Sequence, residues 1–223
     1  MCLSTLTLLL LGGCTQELSI MHPAGPAAAT IATLWWVLLV GAVAIFTLVM
    51  VLLLLAFRAR DAADSSDHSH ERRWIVGLGL AFPVTVLAAL LVYGLSIGER
   101  LMPSAAPDLV TVGAEARQWA WRFTYADLPD RETHDVLHIP AGTPIDVQIT
   151  TADVIHSFWV PRLAGKLDAI PGHVNVLRIE ADLPGEYDGV SAEFSGVGYR
   201  AHEFTVVAHD SAGWSAFIAG EIP

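Results

Sequence analysis

Two long stretches without a charged side chain set the first limit on this fold. Residues 31–57 (IATLWWVLLVGAVAIFTLVMVLLLLAF) and 74–98 (WIVGLGLAFPVTVLAALLVYGLSIG) contain no Asp, Glu, Lys or Arg. An α-helix needs about 20 apolar residues to cross the hydrocarbon of a bilayer, and both stretches exceed that. Soluble core helices are rarely so long and so free of charge, so the pair predicts two transmembrane helices. Pro83 in the second does not argue against a span, because neighbouring groups re-satisfy the backbone around an intramembrane proline. The composition agrees: 53% of the 223 residues are hydrophobic and only 16% charged, with a mean hydropathy of +0.51.

Basic residues orient the hairpin. Arg58, Arg60, Arg72 and Arg73 lie between the spans, close to helix ends, which predicts a cytoplasmic loop over 58–73 and both termini outside. Arg100 is the single basic residue that votes the other way. The run DAADSSDHSH in that loop reads as a solvated connector rather than a metal-binding tract. Residues 1–14 (MCLSTLTLLLLGGC) read as a short secretory signal ending in a lipoprotein box, with Cys14 as the lipidated first residue and 15–30 as an outer segment. No Lys or Arg precedes the apolar run, as such a signal normally has. Cys2 and Cys14 are the only cysteines. Everything after the leader therefore lacks disulfides and any site built on a thiolate.

Past the second span the pattern changes to short alternating runs, which predicts an outer domain over 99–223. IDVQIT places Ile145, Val147 and Ile149 on one face, and FTVVA does so with Phe204, Val206 and Ala208. VNVLRIEA is expected to do the same with Val174, Val176, Ile179 and Ala181, after a one-residue slip. Pro/Gly turn signals at 140–142, 171–172 and 184–185 separate the runs, as in a β-sandwich or Greek-key barrel. SAGWSAFIAG predicts one short helix near the end. From Pro107 onward seventeen Asp and Glu face seven Lys and Arg. Such a surface repels nucleic acid, and would attract a basic partner or simply serve solubility.

Two longer motifs carry a resemblance. TADVIHSFWVPRLAGKLDAIPG (151–172) and PGEYDGVSAEFSGVGYRAHEFTVVA (184–208) resemble subunit II of the haem-copper respiratory oxidases, as do QWAWRFTY (118–125) and the HPAGPAA entry to the first span. The resemblance implies a two-helix transmembrane hairpin followed by an all-β cupredoxin-like Greek-key barrel. In the cytochrome c oxidases of that family the barrel holds a binuclear copper centre. Its ligands are one upstream histidine, then Cys-x3-Cys-x3-His-x2-Met with a mid-loop carbonyl. Here His156 matches the upstream histidine and Glu193 the mid-loop residue. Ser191 and Ser195 stand at the two cysteines, Tyr199 at the histidine and His202 at the methionine. A mixed-valence copper pair needs bridging thiolates, and a mononuclear blue-copper site needs one cysteine. No copper is therefore expected, and the serine hydroxyls are expected to fill the pocket with hydrogen bonds.

The same departure is similar to subunit II of the cytochrome bo-type ubiquinol oxidases, often a lipoprotein, which agrees with Cys14. The implied function is a structural, non-redox subunit of a proton-translocating terminal oxidase that reduces oxygen with electrons from ubiquinol. No cofactor would be bound by this chain; haems and copper would sit in subunit I. The implied partners are subunits I and III, the bilayer of the bacterial inner membrane, and quinol by way of subunit I. The resemblance further implies an interfacial Mg²⁺ at Glu193 and subunit I contacts at Arg162 and Lys166. The family's proton-entry glutamate aligns near Val76; the nearest acid is Glu71, beside Arg72 and Arg73, which reads as that entry or as a salt-bridged carboxylate at the helix start. Trp119 and Trp121 match the family's electron-entry patch and are expected to serve packing instead. The alternative is a cytochrome c oxidase subunit II that has lost its copper and receives electrons another way. A serine hydrolase is disfavoured, since 189–193 is Gly-Val-Ser-Ala-Glu and not a Gly-x-Ser-x-Gly elbow. A copper-delivery lipoprotein is disfavoured too, since the β-domain has no methionine.

Overall fold

A computed structural model describes residues 16–58, 72–103 and 109–221. The chain divides into two compact units, one of Thr33–Leu101 and one of Met1–Ala32 with Met102–Pro223. Cys14, Glu71 and most of the loop between the spans lie outside the described residues.

The first unit is built from the two apolar segments. Helix α1 runs over Pro26–Arg58 and the second helix over Arg72–Leu101, and both are long and apolar enough to cross a membrane. Side chains such as Val40, Phe46 and Leu87 are exposed, as lipid-facing groups would be. The second helix is not uniform. Ile75–Ala81 winds as a π-helix, and regular helix α2 (Phe82–Leu101) follows. Pro83 has no N–H and its ring crowds the carbonyl four residues back. Immediately before it, the Phe82 amide reaches back five residues to the Gly77 carbonyl, the wider winding of a π-turn.

The second unit is a two-sheet sandwich. One sheet has the order β3-β2-β1-β5-β8 and the other β4-β10-β9-β6-β7. In the first, β1 (Val110–Arg117) pairs parallel with β5 (Ile145–Thr151) and antiparallel with β2 (Ala120–Tyr125), which pairs with β3 (Leu128–His134). β8 (Asn175–Ile179) closes the other edge. In the second, β10 (Glu203–His209) lies parallel to β4 (Val136–Pro140) and antiparallel to β9 (Gly185–Ser191), and β6 (His156–Trp159) joins β9 to β7 (Leu167–Ala169). Period-two burial follows the pleat: Ile145, Val147 and Ile149 on β5 and Phe204, Val206 and Ala208 on β10 all enter the core. Trp121, Phe123 and Phe158 fill its centre.

β8 corrects one expectation. Val174 and Val176 are exposed, while Leu177 packs on the core and Ile179 and Ala181 are buried. Both faces of this segment carry apolar residues, so periodicity alone did not select the inward one.

The N-terminal segment is tied to the sandwich before α1 leaves it. Ala24 N donates to the Arg162 carbonyl at 2.7 Å, and the Ala24 carbonyl accepts from Asp182 N at 2.8 Å. A Cβ at Gly25 would lie 2.0 Å from the Glu180 carbonyl oxygen, so only glycine permits this approach. At the other end of the chain, helix α3 (Ser211–Ala219) is capped by the Asp210 carboxylate, which accepts from Gly213 N. It ends at Gly220 in the left-handed region, φ +83°. Because α3 packs on β4, that strand buries Leu137, His138 and Ile139 in succession rather than alternately.

Candidate functional site

The residues at the family's copper-ligand positions come from three places: the start of β6, the end of β9 with the loop after it, and the entry to β10. The register Phe158↔Ser191 brings β6 and β9 together. A short 3-10 turn over Tyr199–Ala201 then returns the chain to β10. His156, Ser191, Ser195 and His202 are all buried. The His156 and His202 rings stand edge to face, with centroids 5.0 Å apart. His202 also stacks on Trp121 at 5.5 Å.

The two outer positions do not join them. The Tyr199 ring meets Phe194 edge-on at 5.3 Å, and Phe194 is itself exposed. The Glu193 side chain is 42% exposed, 4.0 Å from Lys166 Nζ, and accepts a hydrogen bond from Phe194 N.

A residue not singled out from the sequence anchors this pocket. Asp153 Oδ1 lies 2.9 Å from His156 Nε2. The same carboxylate accepts from Gln118 N at 2.8 Å and from Val154 N at 2.6 Å. Burial works against its charge, yet these hydrogen bonds, with His156 and Thr151, outweigh burial and hold Asp153 down to about 2. The signal was local: Asp153 precedes His156 by three residues within a turn, where an acidic side chain can close on the next strand's first residue. Gln118 was missed as well; its side-chain amide donates to the Ser195 carbonyl. The Trp119 ring packs against the same loop. A Cβ at Gly198 would lie 2.6 Å from its ring, and Gly196 takes φ +116°, which side chains rarely adopt.

The two tryptophans therefore separate. Trp121 is fully buried, whereas Trp119 is 44% exposed over the loop. Arg162 and Lys166, the expected subunit contacts, both have partners within the chain. Arg162 Nε donates to the His22 carbonyl at 3.0 Å and its guanidinium lies over Tyr187. Lys166 sits between Asp168 at 3.7 Å and Glu193.

The chemistry of the pocket follows from its donors. Ser191 Oγ accepts from Ser157 N at 3.3 Å, so one of the two hydroxyls does knit the fold as expected. Ser195 Oγ, His156 Nδ1 and both His202 ring nitrogens are buried and meet no hydrogen-bonding partner among the described residues. Burial first, and then neighbouring His156, lower the pKa of His202 against a weaker upward pull from Asp135 and Asp153. Two imidazoles and two neutral hydroxyls supply no bridging anion. Such a set does not fit a mixed-valence copper pair, which needs soft thiolates between the metals.

The family model "Cytochrome C oxidase subunit II, periplasmic domain" matches residues 130–209. The chain is 30% identical over 210 residues to quinol oxidase subunit 2 of Bacillus cereus, covering 90% of this chain and 72% of that one. It is 29% identical over 220 residues to ubiquinol oxidase subunit 2 of Acetobacter aceti, covering 94% and 71%. It is also 29% identical over 234 residues to cytochrome c oxidase subunit 2 of Alkalihalophilus pseudofirmus, covering 98% and 66%. Among solved structures, the periplasmic domain of cytochrome oxidase subunit II (CoxB) of Bradyrhizobium japonicum superposes with a TM-score of 0.50 at 25% identity, over 53% of this chain and 96% of that one. With two membrane-length helices, a β-sandwich of this likeness and sequence identity across most of its length, the chain belongs to the subunit II family of the haem-copper respiratory oxidases.

Proposed function

We propose that this chain is the structural, non-redox subunit II of a proton-translocating quinol oxidase. The observation that carries the reading is the donor set at the loop: Ser191 and Ser195 take the positions of bridging thiolates, between strands β6, β9 and β10 that pair side by side. A subunit II built this way has no relay for electrons arriving at its outer domain. Electrons from membrane quinol would then enter at subunit I, where the haems, the copper and the reduction of oxygen reside. Kinship with proteins named quinol and ubiquinol oxidase subunit 2 supports the same donor.

In this reading the chain anchors and caps subunit I through its two helices, and through a lipid on Cys14. Arg162, Lys166 and Glu193 would face subunit I, and subunit III would complete the complex. An Mg²⁺ at Glu193 would have to displace Lys166 and take its remaining oxygen ligands from subunit I, since one carboxylate does not make a site. Glu71 would stand at a proton entry on the inner side.

Copper titration of the purified full-length chain tests the non-redox reading. The expected result is neither thiolate-to-copper charge-transfer absorption nor a mixed-valence electron paramagnetic resonance signal. Either signal at one centre per chain would overturn it.

A further inference from the structure

The C-terminal helix covers a pair of histidines, His138 buried and His209 half-buried, that the oxidase reading leaves unused. Phe217, fully buried, is the anchor of α3. The His138 ring from β4 stacks on it at 4.5 Å and 11°, Trp214 stacks at 5.3 Å, and Tyr125 meets it edge-on at 5.1 Å. The Arg131 guanidinium lies over the same ring at 4.5 Å. His209, at the end of β10, places Nε2 2.8 Å from His138 Nδ1. The two imidazoles are nearly parallel, at 9° with centroids 5.1 Å apart. Gly213 of α3 closes on the far side of His209; a Cβ there would lie 3.0 Å from His209 Nδ1.

A bond between two imidazole nitrogens needs one N–H and one lone pair. The neutral pair meets that requirement, and so does the pair carrying one extra proton. A doubly protonated pair presents two donors and two cations to each other and cannot. We propose that His138 and His209 form an acid-sensitive clasp, which holds α3 on the sheet while the pair carries at most one extra proton and releases it when a second is taken up.

The groups facing the pair from each packed element favour this outcome. From β3, Arg131 adds a positive charge whose buried Nε and Nη2 have no acceptor among the described residues to offset it. From β2, the Tyr125 hydroxyl accepts from His138 N at 2.9 Å, and burial raises its pKa, so it stays neutral. From the cap of α3, the Asp210 carboxylate draws a proton toward His209, against the stronger effect of burial, which lowers that residue. The first proton thus goes to His209 and leaves the bond intact. Burial, then His209, then Arg131 push His138 down to about 4. Its docked environment favours the neutral ring, so docking is strongest above the ordinary histidine value near 6.5 and weakens as pH falls toward 4. An imidazolium on Phe217 would gain cation–π attraction, but Arg131 already lies over that ring. Once undocked, a helix as short as α3 does not hold its own structure in water.

The test is hydrogen–deuterium exchange of the full chain in detergent between pH 7.5 and 4.5, corrected for intrinsic exchange chemistry. The α3 amides are expected to lose protection by about tenfold per pH unit below pH 6.5, as one proton of linkage requires, while those of β1 and β5 keep theirs. His138→Phe keeps the stack without the titrating ring and should remove most of that slope. His138→Gln supplies the same comparison should the phenylalanine variant not fold. The proposal is overturned if α3 protection stays flat with pH or falls in step with the sheets. Full acid dependence in a variant lacking His138 would overturn it equally.

Discussion

At the scale of single residues, the pocket's geometry rests on Asp153 more than on the residues at the family's ligand positions. Its carboxylate accepts from two backbone amides and orients His156. Asp153→Asn keeps the size and loses the charge that these donors stabilise. Removing a charged partner from a largely buried cluster costs about 1–3 kcal/mol, which a denaturant midpoint measures. Sign follows from its depressed pKa: the stabilisation is complete above the ordinary Asp value near 3.9 and disappears as pH falls through about 2. An acid titration of stability should therefore lose its component between pH 4 and 2 in the Asn variant. Gly189 gives an independent check on the packing. A Cβ there would lie 2.3 Å from the buried Phe204 ring, so Gly189→Ala should destabilise by about 1–3 kcal/mol through overpacking. An unchanged midpoint would mean that β9 and β10 do not meet as described.

At the scale of elements, what could be read from the sequence was what local chemistry decides. Uncharged length marked both spans, alternation marked β5 and β10, and ligand spacing marked the loop. The inward face of β8 could not be chosen, because Val174, Val176, Leu177 and Ile179 put apolar residues on both faces. Partners distant in sequence were equally out of reach: His138 meets His209 across 71 positions, and Gln118 meets Ser195 across 77. Arg162 likewise meets the His22 carbonyl across 140 positions. The π-winding before Pro83 had a cause in the sequence, but nothing local distinguished it from a simple kink. Pro83→Ala restores an amide donor and removes the ring that crowds the preceding turn. It should return Ile75–Ala81 to regular α-helix, read from backbone chemical shifts in a membrane mimetic. Persistence of the wide turn would place its origin elsewhere in the helix.

At the scale of the whole molecule, the chain has the β-sandwich of the subunit II family, and its loop over 191–202 lacks every thiolate. The acidic outer surface and the exposed Trp119 resemble a docking face. If the proposed non-redox reading holds, an electron donor docked there would find no copper centre to receive its electron. Oxygen uptake by the purified complex measures the consequence directly, with reduced ubiquinone as donor in one assay and reduced cytochrome c in the other. Turnover with quinol and none with cytochrome c is the predicted result. Sustained turnover with cytochrome c would contradict the account, since electrons would then reach the haems by a path that avoids the Ser191–Ser195 loop.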